Sequence, residues 1–457
     1  MHESLLNKLY SILPKDAVLT AEEELICYGS DSTRIKARPD IVVRPEEASD
    51  INQIMALAAA YRVPVVPRGA GTGLSGGAVP VNGGIVVSTE RLNRILDIDP
   101  IDMIAVAQPG AVTASLHGAA EEIGLFYPPD PGSYKYCTIG GNIAENAGGL
   151  RGLKYGVTRD YVMALKVVLP SGKEINTGSR TIKNVTGYDL TRLMVGSEGT
   201  LGFIKEATLM LVPKPEAKAA FLAAFDTLEA ASEAVVAIMK SGVTPSTLEI
   251  MDSVTLRAVA QYQGDSVGLE CGALLLVEVD GTAPGVTRQS EKLMDTLTGS
   301  GARELRQAAD PAEQEKLWSA RRAALTALAR VAPSVILEDA TVPRKEVPAM
   351  VRAINGIAGK YGLLIGTFGH AGDGNLHPTI ITDLRDKENA VKVEAAVAEI
   401  FAAALKLGGT LSGEHGIGLS KKSFMKSEVG EAGLAAMRAV KDAFDPAGIM
   451  NPGKIFE

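Results

Sequence analysis

The chain has 457 residues and a mass of 47.8 kDa, a length that predicts two or three domains rather than one. Hydrophobic residues make up 46% of the chain and charged residues 22%, which excludes a disordered or fibrous protein and predicts a sizeable core. The formal net charge of −8 argues against a nucleic-acid binder, which usually carries a basic face, so we expect no nucleic-acid partner.

The first half of the chain predicts an α+β domain. A helix is predicted over residues 46–61, because apolar residues recur at helical spacing after Pro45. A second helix is predicted over residues 113–123, where Gly124 would end it. Short apolar runs predict strands at residues 85–88, 105–108 and 162–169, the last followed by a hairpin.

The pattern changes after Pro213-Lys-Pro215, which is the best linker candidate. Predicted strands then alternate with predicted helices. The strands cover residues 219–225 and 273–279, and the helices cover residues about 227–241, 286–299 and 389–406. This alternation predicts a second, ferredoxin-like α+β unit that caps the first domain.

Glycine is concentrated in a few segments. The chain has 48 glycines, and five dense clusters lie at residues 69–84, 132–156, 187–202, 362–374 and 408–418. A single glycine usually marks a turn, but dense clusters indicate places where the backbone approaches a ligand closely. We therefore expect ligand-binding loops at these positions.

The first cluster formally matches the dinucleotide-binding fingerprint at Gly71-x-Gly73-x-x-Gly76. A Rossmann motif must open a helix, but here Pro80 and Gly83-Gly84 break any helix before the next apolar run. The segment therefore predicts a strand–loop–strand whose N–H groups could surround a pyrophosphate.

Three of the five histidines lie in, or within three residues of, the last two glycine clusters. His370 and His377 lie on either side of an Asp-Gly turn signal, so a strand–turn–strand would bring the two rings together. Glu414 and His415 follow in the last cluster. Two imidazoles and a carboxylate suit a divalent ion, with zinc, iron, manganese and cobalt all compatible. A metal-dependent hydrolase remains an alternative, although it leaves the earlier glycine clusters without a role.

Together, these segments resemble the FAD-binding domain of the vanillyl-alcohol-oxidase superfamily. The motifs that carry the resemblance are residues 67–77 (PRGAGTGLSGG), 131–132 (PG), 139–142 (IGGN), 146–149 (NAGG) and 196–202 (GSEGTLG). More narrowly, nearly the whole chain resembles the FAD-linked D-2-hydroxyacid dehydrogenases. That family includes glycolate oxidase catalytic subunits, D-lactate dehydrogenases and D-2-hydroxyglutarate dehydrogenases.

The resemblance implies the domain organisation. Residues 1–215 are expected to form a two-part FAD-binding domain, with subdomains at about 1–98 and 99–215. Residues 216–409 are expected to form the ferredoxin-like substrate or cap domain. The segment 410–457, with FDPAGIMNPGK at 444–454, is similar to the family's C-terminal signature and is expected to return to the FAD domain.

The resemblance also implies a set of FAD-binding residues. These are Pro67, Arg68, Gly69, Ala70, Gly71, Thr72, Gly73, Leu74, Pro131, Gly132, Ser133, Thr138, Gly140, Gly141, Asn142, Asn146, Gly149, Glu198, Gly199, Gly202, Ile204 and Asn451. Some relatives attach the flavin through a histidine in the first loop. No histidine lies between His2 and His117, so we expect FAD to be bound non-covalently.

The family pattern assigns His370, His377 and Glu414 as metal ligands and His415 as the catalytic base. A 2-hydroxy acid would chelate the ion, His415 would take the hydroxyl proton, and the hydride on Cα would pass to flavin N5. Aligned on Trp318, Arg321 matches the family's carboxylate-binding arginine, and Arg322 is a weaker candidate.

Two departures from the family bear on the substrate. The 2-hydroxyglutarate enzymes hold the distal carboxylate with a threonine and a lysine, where this chain has Leu325 and Leu337. Leucines would leave that charge unpaired. We therefore expect a short monocarboxylate, glycolate or D-lactate, with 2-hydroxyglutarate as the alternative.

The remaining expectations concern partners and location. Cys27, Cys137 and Cys271 form neither a disulfide framework nor an iron–sulfur set, so electrons must pass to an external acceptor. Family precedents are an iron–sulfur subunit and an electron-transferring flavoprotein. Without a visible signal peptide or transmembrane segment, we expect a cytoplasmic protein that a partner could hold at the inner membrane face.

Overall fold

The computed structural model describes residues 3–264 and 270–456, which form two compact units. The first unit comprises Met1–Gly148, Val157–Lys214 and Glu414–Glu457. The second unit comprises Gly149–Gly156 and Pro215–Gly413. The chain therefore leaves the first unit twice and returns to it for its C-terminal segment.

The first unit begins with a small sheet that is mostly parallel. Its strands, in spatial order, are Val18–Leu19, Ile41–Val43, Ile85–Ser88 and Val65–Arg68. The last three strands run parallel, and the last two are joined by the glycine-rich loop instead of a helix, as the sequence predicts. The helices Glu3–Ile12 and Asp50–Tyr61 bury their apolar faces in the same core as this sheet. The second helix begins four residues later than predicted, because residues 46–49 form a bend and a turn.

The second sheet of this unit is antiparallel. Its strands, in spatial order, are Ile95–Asp99, Ile104–Ala107, Phe203–Met210, Val162–Val168 and Glu174–Gly178. The strand Ile95–Asp99 was not predicted, since its residues are only half-buried or exposed and give no apolar run. A separate pair joins Leu125–Phe126 to Val212–Pro213. The helix Thr113–Glu122 is confirmed, and Gly124 follows it with a φ of +76°.

The first unit also contains shorter helices and the C-terminal segment. These helices are Glu22–Cys27, Ile139–Glu145, Leu190–Met194 and Met425–Phe444, the last kinked at Gly430. Met450 then forms a parallel bridge with Val65, and the Asn451 N–H donates to the Val65 carbonyl at 2.7 Å. The tail thus adds to the edge of the sheet next to the glycine loop.

The second unit is built on one antiparallel sheet with helices packed on it. In spatial order its strands are Glu304–Gln307, Ala217–Phe225, Ala273–Gly281, Thr247–Asp252, Leu364–His370, Asn375–Thr382 and Ser334–Leu337, and Ala340–Thr341 also pairs with Asn375–Thr382. Its helices are Gly152–Tyr155, Leu228–Ser241, Ser253–Gln263, Ala283–Gly299, Pro311–Arg322, Ala324–Leu328, Val347–Tyr361 and Lys387–Lys406.

Residues 149–156 belong to this second unit, although the sequence assigned them to the first domain. Leu153 is buried in its core, and the Tyr155 hydroxyl donates to the Asp280 carboxylate at 2.7 Å. Residues 149–156 are separated from residues 215–413 by a long stretch of chain, so no local sequence pattern indicated that they pack together. Among the described residues, no helix is both long and apolar enough to cross a membrane.

Candidate active site

The glycine loop of the first unit exposes an uninterrupted row of backbone donors. It carries the predicted residues Arg68, Gly69, Ala70, Gly71, Thr72, Gly73 and Leu74. Within the described part of the chain, no N–H of residues 69–74 donates a hydrogen bond. A row of unused amides in a half-buried loop suits the oxygens of a pyrophosphate, so the loop fits FAD.

Close contacts explain why the loop is made of glycine. A Cβ on Gly69 would lie 2.3 Å from Thr138 Oγ1, and a Cβ on Gly71 would lie 2.3 Å from Arg68 Nη2. Gly71 also has a φ of +69°, which favours glycine. The third cluster meets the first at Gly199, whose Cβ would lie 3.2 Å from Pro67. The tertiary structure thus brings separate glycine clusters together in one unit.

The remaining predicted cofactor residues lie in other segments of the chain, most of them in the first unit. Thr138 caps the helix Ile139–Glu145, which carries Gly140, Gly141 and Asn142, and the Asn142 amide donates to Thr113 Oγ1 at 2.8 Å. Asn146 ends that helix in a left-handed conformation. Pro131, Gly132 and Ser133 form a turn, while Gly202 and Ile204 lie at the start of a central strand. Gly149 lies in the second unit.

Two of the residues predicted to bind FAD use their side chains to hold the C-terminal segment. The buried Glu198 carboxylate accepts the N–H groups of Ile417 at 2.8 Å and Gly418 at 2.6 Å. Asn451 donates its side-chain amide to the carbonyls of Gly77 at 2.9 Å and Glu198 at 2.8 Å. These contacts tie the segment that follows His415 to the glycine loop.

In the second unit, the predicted histidine hairpin is confirmed. The strands Leu364–His370 and Asn375–Thr382 pair antiparallel, with His370 opposite Asn375 and Phe368 opposite His377. The rings of His370 and His377 lie 5.2 Å apart, edge to face, and both are buried. The Asp373-Gly374 turn therefore reverses the chain and brings the two histidine rings together, as the sequence predicts.

A fully buried carboxylate, Glu249, joins the arginine to the histidines. Its Oε2 accepts from Arg321 Nε at 2.5 Å, and its Oε1 lies 2.6 Å from His370 Nδ1. Burial alone would raise the pKa of Glu249, but Arg321 and His370 outweigh it and lower the pKa. Glu249 therefore stays charged and orients both partners. With Nδ1 facing a carboxylate, the other ring nitrogen of His370 has the orientation usual in metal-bound histidines.

Sequence reasoning missed Glu249. The residue lies in the strand Thr247–Asp252, where every side chain is buried. The available signal was the charge of Glu249 between the apolar residues of the segment Thr247–Asp252, whose last residue caps the next helix. Charged residues are almost never fully buried unless they are paired, so a strand prediction there would have marked Glu249 as functional.

The predicted metal ligands divide between the units. His370 and His377 lie side by side in the second unit, and Glu414 is the first residue of the C-terminal segment of the first unit. Glu414 directly follows Gly413, which donates its N–H to Asp339 at 2.9 Å, and Ser412 also binds Asp339. Two imidazoles and a carboxylate fit a divalent transition metal.

Arg321 has the surroundings of an anion-binding residue. Its side chain is buried, and its guanidinium lies 4.8 Å from the centre of the Phe368 ring. In the described part of the chain, only its Nε donates a hydrogen bond, which leaves the Nη groups for a ligand. Arg322, the weaker candidate, instead pairs with the exposed Glu315.

The two substrate-related leucines pack in the same region. Leu325 and Leu337 are half-buried against an apolar cluster that contains Trp318 and Phe368. Leu337 pairs with Thr379, two residues beyond His377. Phe368 therefore packs in an apolar cluster, and Arg321 and His377 also contact its ring.

Two family models match the chain. The FAD-binding domain model covers residues 39–178, and the model of the C-terminal domain of FAD-linked oxidases covers residues 214–455. The chain is 49% identical over 432 residues to the glycolate oxidase subunit GlcD of Bacillus subtilis. The aligned region covers 94% of this chain and 92% of the relative. It is 35% identical to a D-lactate dehydrogenase of Anaerostipes hadrus, over 99% of this chain and 97% of the relative.

A solved structure, p-cresol methylhydroxylase with substrate bound, shares the fold with a TM-score of 0.82 and 18% identity, over 100% of this chain and 98% of the other. This likeness confirms the predicted fold class, an FAD-binding domain of the vanillyl-alcohol-oxidase type with an α+β second domain. The match to oxidases leaves the hydrolase alternative without support. The chain belongs to the FAD-linked oxidase family and is an FAD-dependent oxidoreductase of 2-hydroxy acids.

Proposed function

We propose that the protein oxidises a short 2-hydroxy monocarboxylate, glycolate or D-lactate, to the 2-oxo acid, with non-covalent FAD and a divalent metal ion. The observation that carries the proposal is the buried group of Arg321, Glu249 and His370. It sets an anion-binding guanidinium beside metal-type imidazoles, as the recognition of a 2-hydroxy acid requires. The names of the relatives above agree with this substrate class.

Each residue has a distinct role in the proposed reaction. Arg321 binds the substrate carboxylate, and a ring nitrogen of His415 takes the hydroxyl proton. His370, His377 and Glu414 would hold the metal, and the loop 67–74 would hold FAD. When bound, the ion supplies a Lewis acid for the hydroxyl, and flavin N5 supplies the acceptor for the hydride that leaves Cα.

The apolar surroundings of Phe368 favour a monocarboxylate. A second carboxylate placed near Leu325 or Leu337 would lose its hydration without gaining a cation, which costs several kcal/mol. The alternative, 2-hydroxyglutarate, needs a cation elsewhere in the chain.

Anaerobic reduction of the flavin tests the substrate. The purified holoenzyme is mixed with glycolate, each lactate enantiomer and each 2-hydroxyglutarate enantiomer, and the flavin band is followed. We expect glycolate or D-lactate to bleach the band. Bleaching by 2-hydroxyglutarate alone would contradict the proposal.

Substituting the two leucines tests whether they exclude a substrate with a second carboxylate. The double variant Leu325→Thr, Leu337→Lys introduces the polar groups that the 2-hydroxyglutarate enzymes carry. We expect its kcat/KM ratio of 2-hydroxyglutarate to glycolate to rise by about tenfold or more, because a charged hydrogen bond contributes ~1.5–3 kcal/mol. An unchanged ratio would place the distal substrate group elsewhere.

The proposed electron acceptor is external. The three cysteines are free, with Cys27 exposed, Cys137 buried and Cys271 between them. Three thiols are fewer than the four cysteines that an iron–sulfur cluster usually takes. The word subunit in the relative's name supports a partner protein as acceptor. Reduction of an artificial dye in place of the partner measures the flavin half-reaction separately.

A further inference from the structure

Glu145 is a half-buried acid that the proposed reaction does not use. It is the last residue of the helix Ile139–Glu145 in the first unit. Its Oε2 atom is buried and has no hydrogen bond of ordinary geometry within the described residues, although the nearby Ser75 hydroxyl lowers the pKa of the carboxyl. A buried carboxyl oxygen without a partner costs ~1–3 kcal/mol, so the position calls for a ligand.

Glycines on two sides make room for this carboxyl. A Cβ on Gly77 would lie 2.7 Å from Glu145 Oε1, and a Cβ on Gly73 would lie 3.9 Å from it. On the other side, a Cβ on Gly416 would lie 2.2 Å from Glu145 Oε2. Glu145 therefore lies between the glycine loop and the residue that follows His415, all within the first unit.

The charges around Glu145 favour its neutral form. Burial, then the nearby Glu198 and Asp31, raise the pKa of Glu145 well above its usual range. Burial raises the pKa of Glu198 as well, and the two N–H groups that it accepts and the cations Lys454 and Lys421 offset part of that rise. These causes favour the neutral form of Glu145, in which the carboxyl can donate a hydrogen bond.

We propose that Glu145 is a further FAD-binding residue, whose carboxyl makes a hydrogen bond to the bound cofactor beside the segment that carries His415. The inference rests on the proposed placement of FAD on the loop 67–74. An ionised carboxylate at this position would repel the pyrophosphate, whereas a neutral acid satisfies its own buried oxygen and an acceptor of the cofactor at once.

FAD affinity of the holoenzyme tests the role without substrate. The variants are Glu145→Leu, which removes the donor, and Glu145→Gln, which keeps a neutral donor of similar shape. Glu122→Gln, on the exposed face of the helix Thr113–Glu122, is the matched control. Dissociation of FAD is followed by the rise of free-flavin fluorescence, together with the position of the flavin absorption band.

We expect Glu145→Leu to weaken FAD binding about tenfold or more and to shift the band, and Glu145→Gln to stay within about threefold of the wild type. Equal weakening in both variants would show an ionised carboxylate and overturn the proposal. Unchanged affinity in Glu145→Leu would also overturn it, since a water could then satisfy the site.

A pH series keeps the test decisive if Glu145→Leu fails to fold. As the pH rises and Glu145 ionises, FAD affinity of the wild type should fall, while that of Glu145→Gln should not. Parallel curves would contradict the proposal. Because affinity is measured without substrate, a failure of every 2-hydroxy acid to reduce the flavin would overturn the proposed reaction and leave this result standing.

Discussion

The glycine loop of the first unit and the histidine–arginine group of the second unit are suited to their expected ligands in different ways. The loop offers backbone N–H groups and needs the absence of side chains, as at Gly69 and Gly71. The second group offers charged side chains held by one buried carboxylate, Glu249. A backbone site is therefore sensitive to added volume, whereas a side-chain site is sensitive to lost charge.

Removing a metal-type ligand should have the largest effect. His377→Ala is expected to lose bound metal and to lower the rate of flavin reduction by roughly 10³-fold, because Lewis-acid activation contributes several kcal/mol. The flavin band should persist, since FAD is held in the other unit. Metal analysis and stopped-flow reduction check both parts, and full activity without metal would remove the metal from the proposed reaction.

Removing Glu249 should have the next largest effect, a loss of stability. Glu249→Ala leaves Arg321 buried without its partner, which is expected to lower the free energy of unfolding by about 3–5 kcal/mol. The control is Glu388→Ala, which breaks a surface pair with Lys392 and should change stability by about 0.5 kcal/mol or less. Denaturant unfolding measures both. Similar losses in the two variants would mean that burial of the pair does not matter.

Adding a side chain to the glycine loop should have a smaller effect, a loss of FAD affinity. Gly71→Ala places a methyl group at a φ of +69° and against Arg68, so FAD affinity should fall roughly tenfold. Gly118→Ala is the matched control, because it lies exposed in a helix with no atom within 4 Å of the added Cβ. That change should leave FAD binding unaltered and raise stability by about 0.5–1 kcal/mol. Normal FAD affinity in Gly71→Ala would argue against a backbone site.

The smallest expected effect is on the pH dependence of stability, and it concerns the buried Lys454 in the C-terminal segment. Lys454 donates to the Val79 carbonyl at 2.7 Å, and burial lowers its pKa to about 8. Above that pH the folded protein loses this proton, while the unfolded chain keeps it up to a pKa of ~10.4. The unfolded state then binds more protons, so this group makes stability rise with pH, by about 1 kcal/mol between about pH 8 and 9.

Urea unfolding at the two pH values, with wild type and Lys454→Met compared, isolates that contribution. The other titratable groups are common to both proteins, so the difference in slope reports Lys454 together with its effect on Glu198. Equal slopes would mean that Lys454 keeps its ordinary pKa in the folded state.

Local patterns were sufficient for much of the fold. The helix Thr113–Glu122, the hairpin that carries His370 and His377, and the absence of a helix after the glycine loop all follow from residues close in the chain. The strand Ile95–Asp99 and the membership of residues 149–156 could not be predicted, because both depend on neighbours distant in sequence.

The amino-acid sequence by itself determined the kinds of group present: glycine clusters for a cofactor, a histidine pair with a carboxylate, and an arginine for an anion. Their chemistry is carried by residue type and spacing, which a chain displays before it folds. Only the tertiary structure decided that Glu249 joins Arg321 to His370 and that Glu198 holds the segment after His415. Such pairings arise where distant segments meet in a buried environment, because there each charge must find a partner.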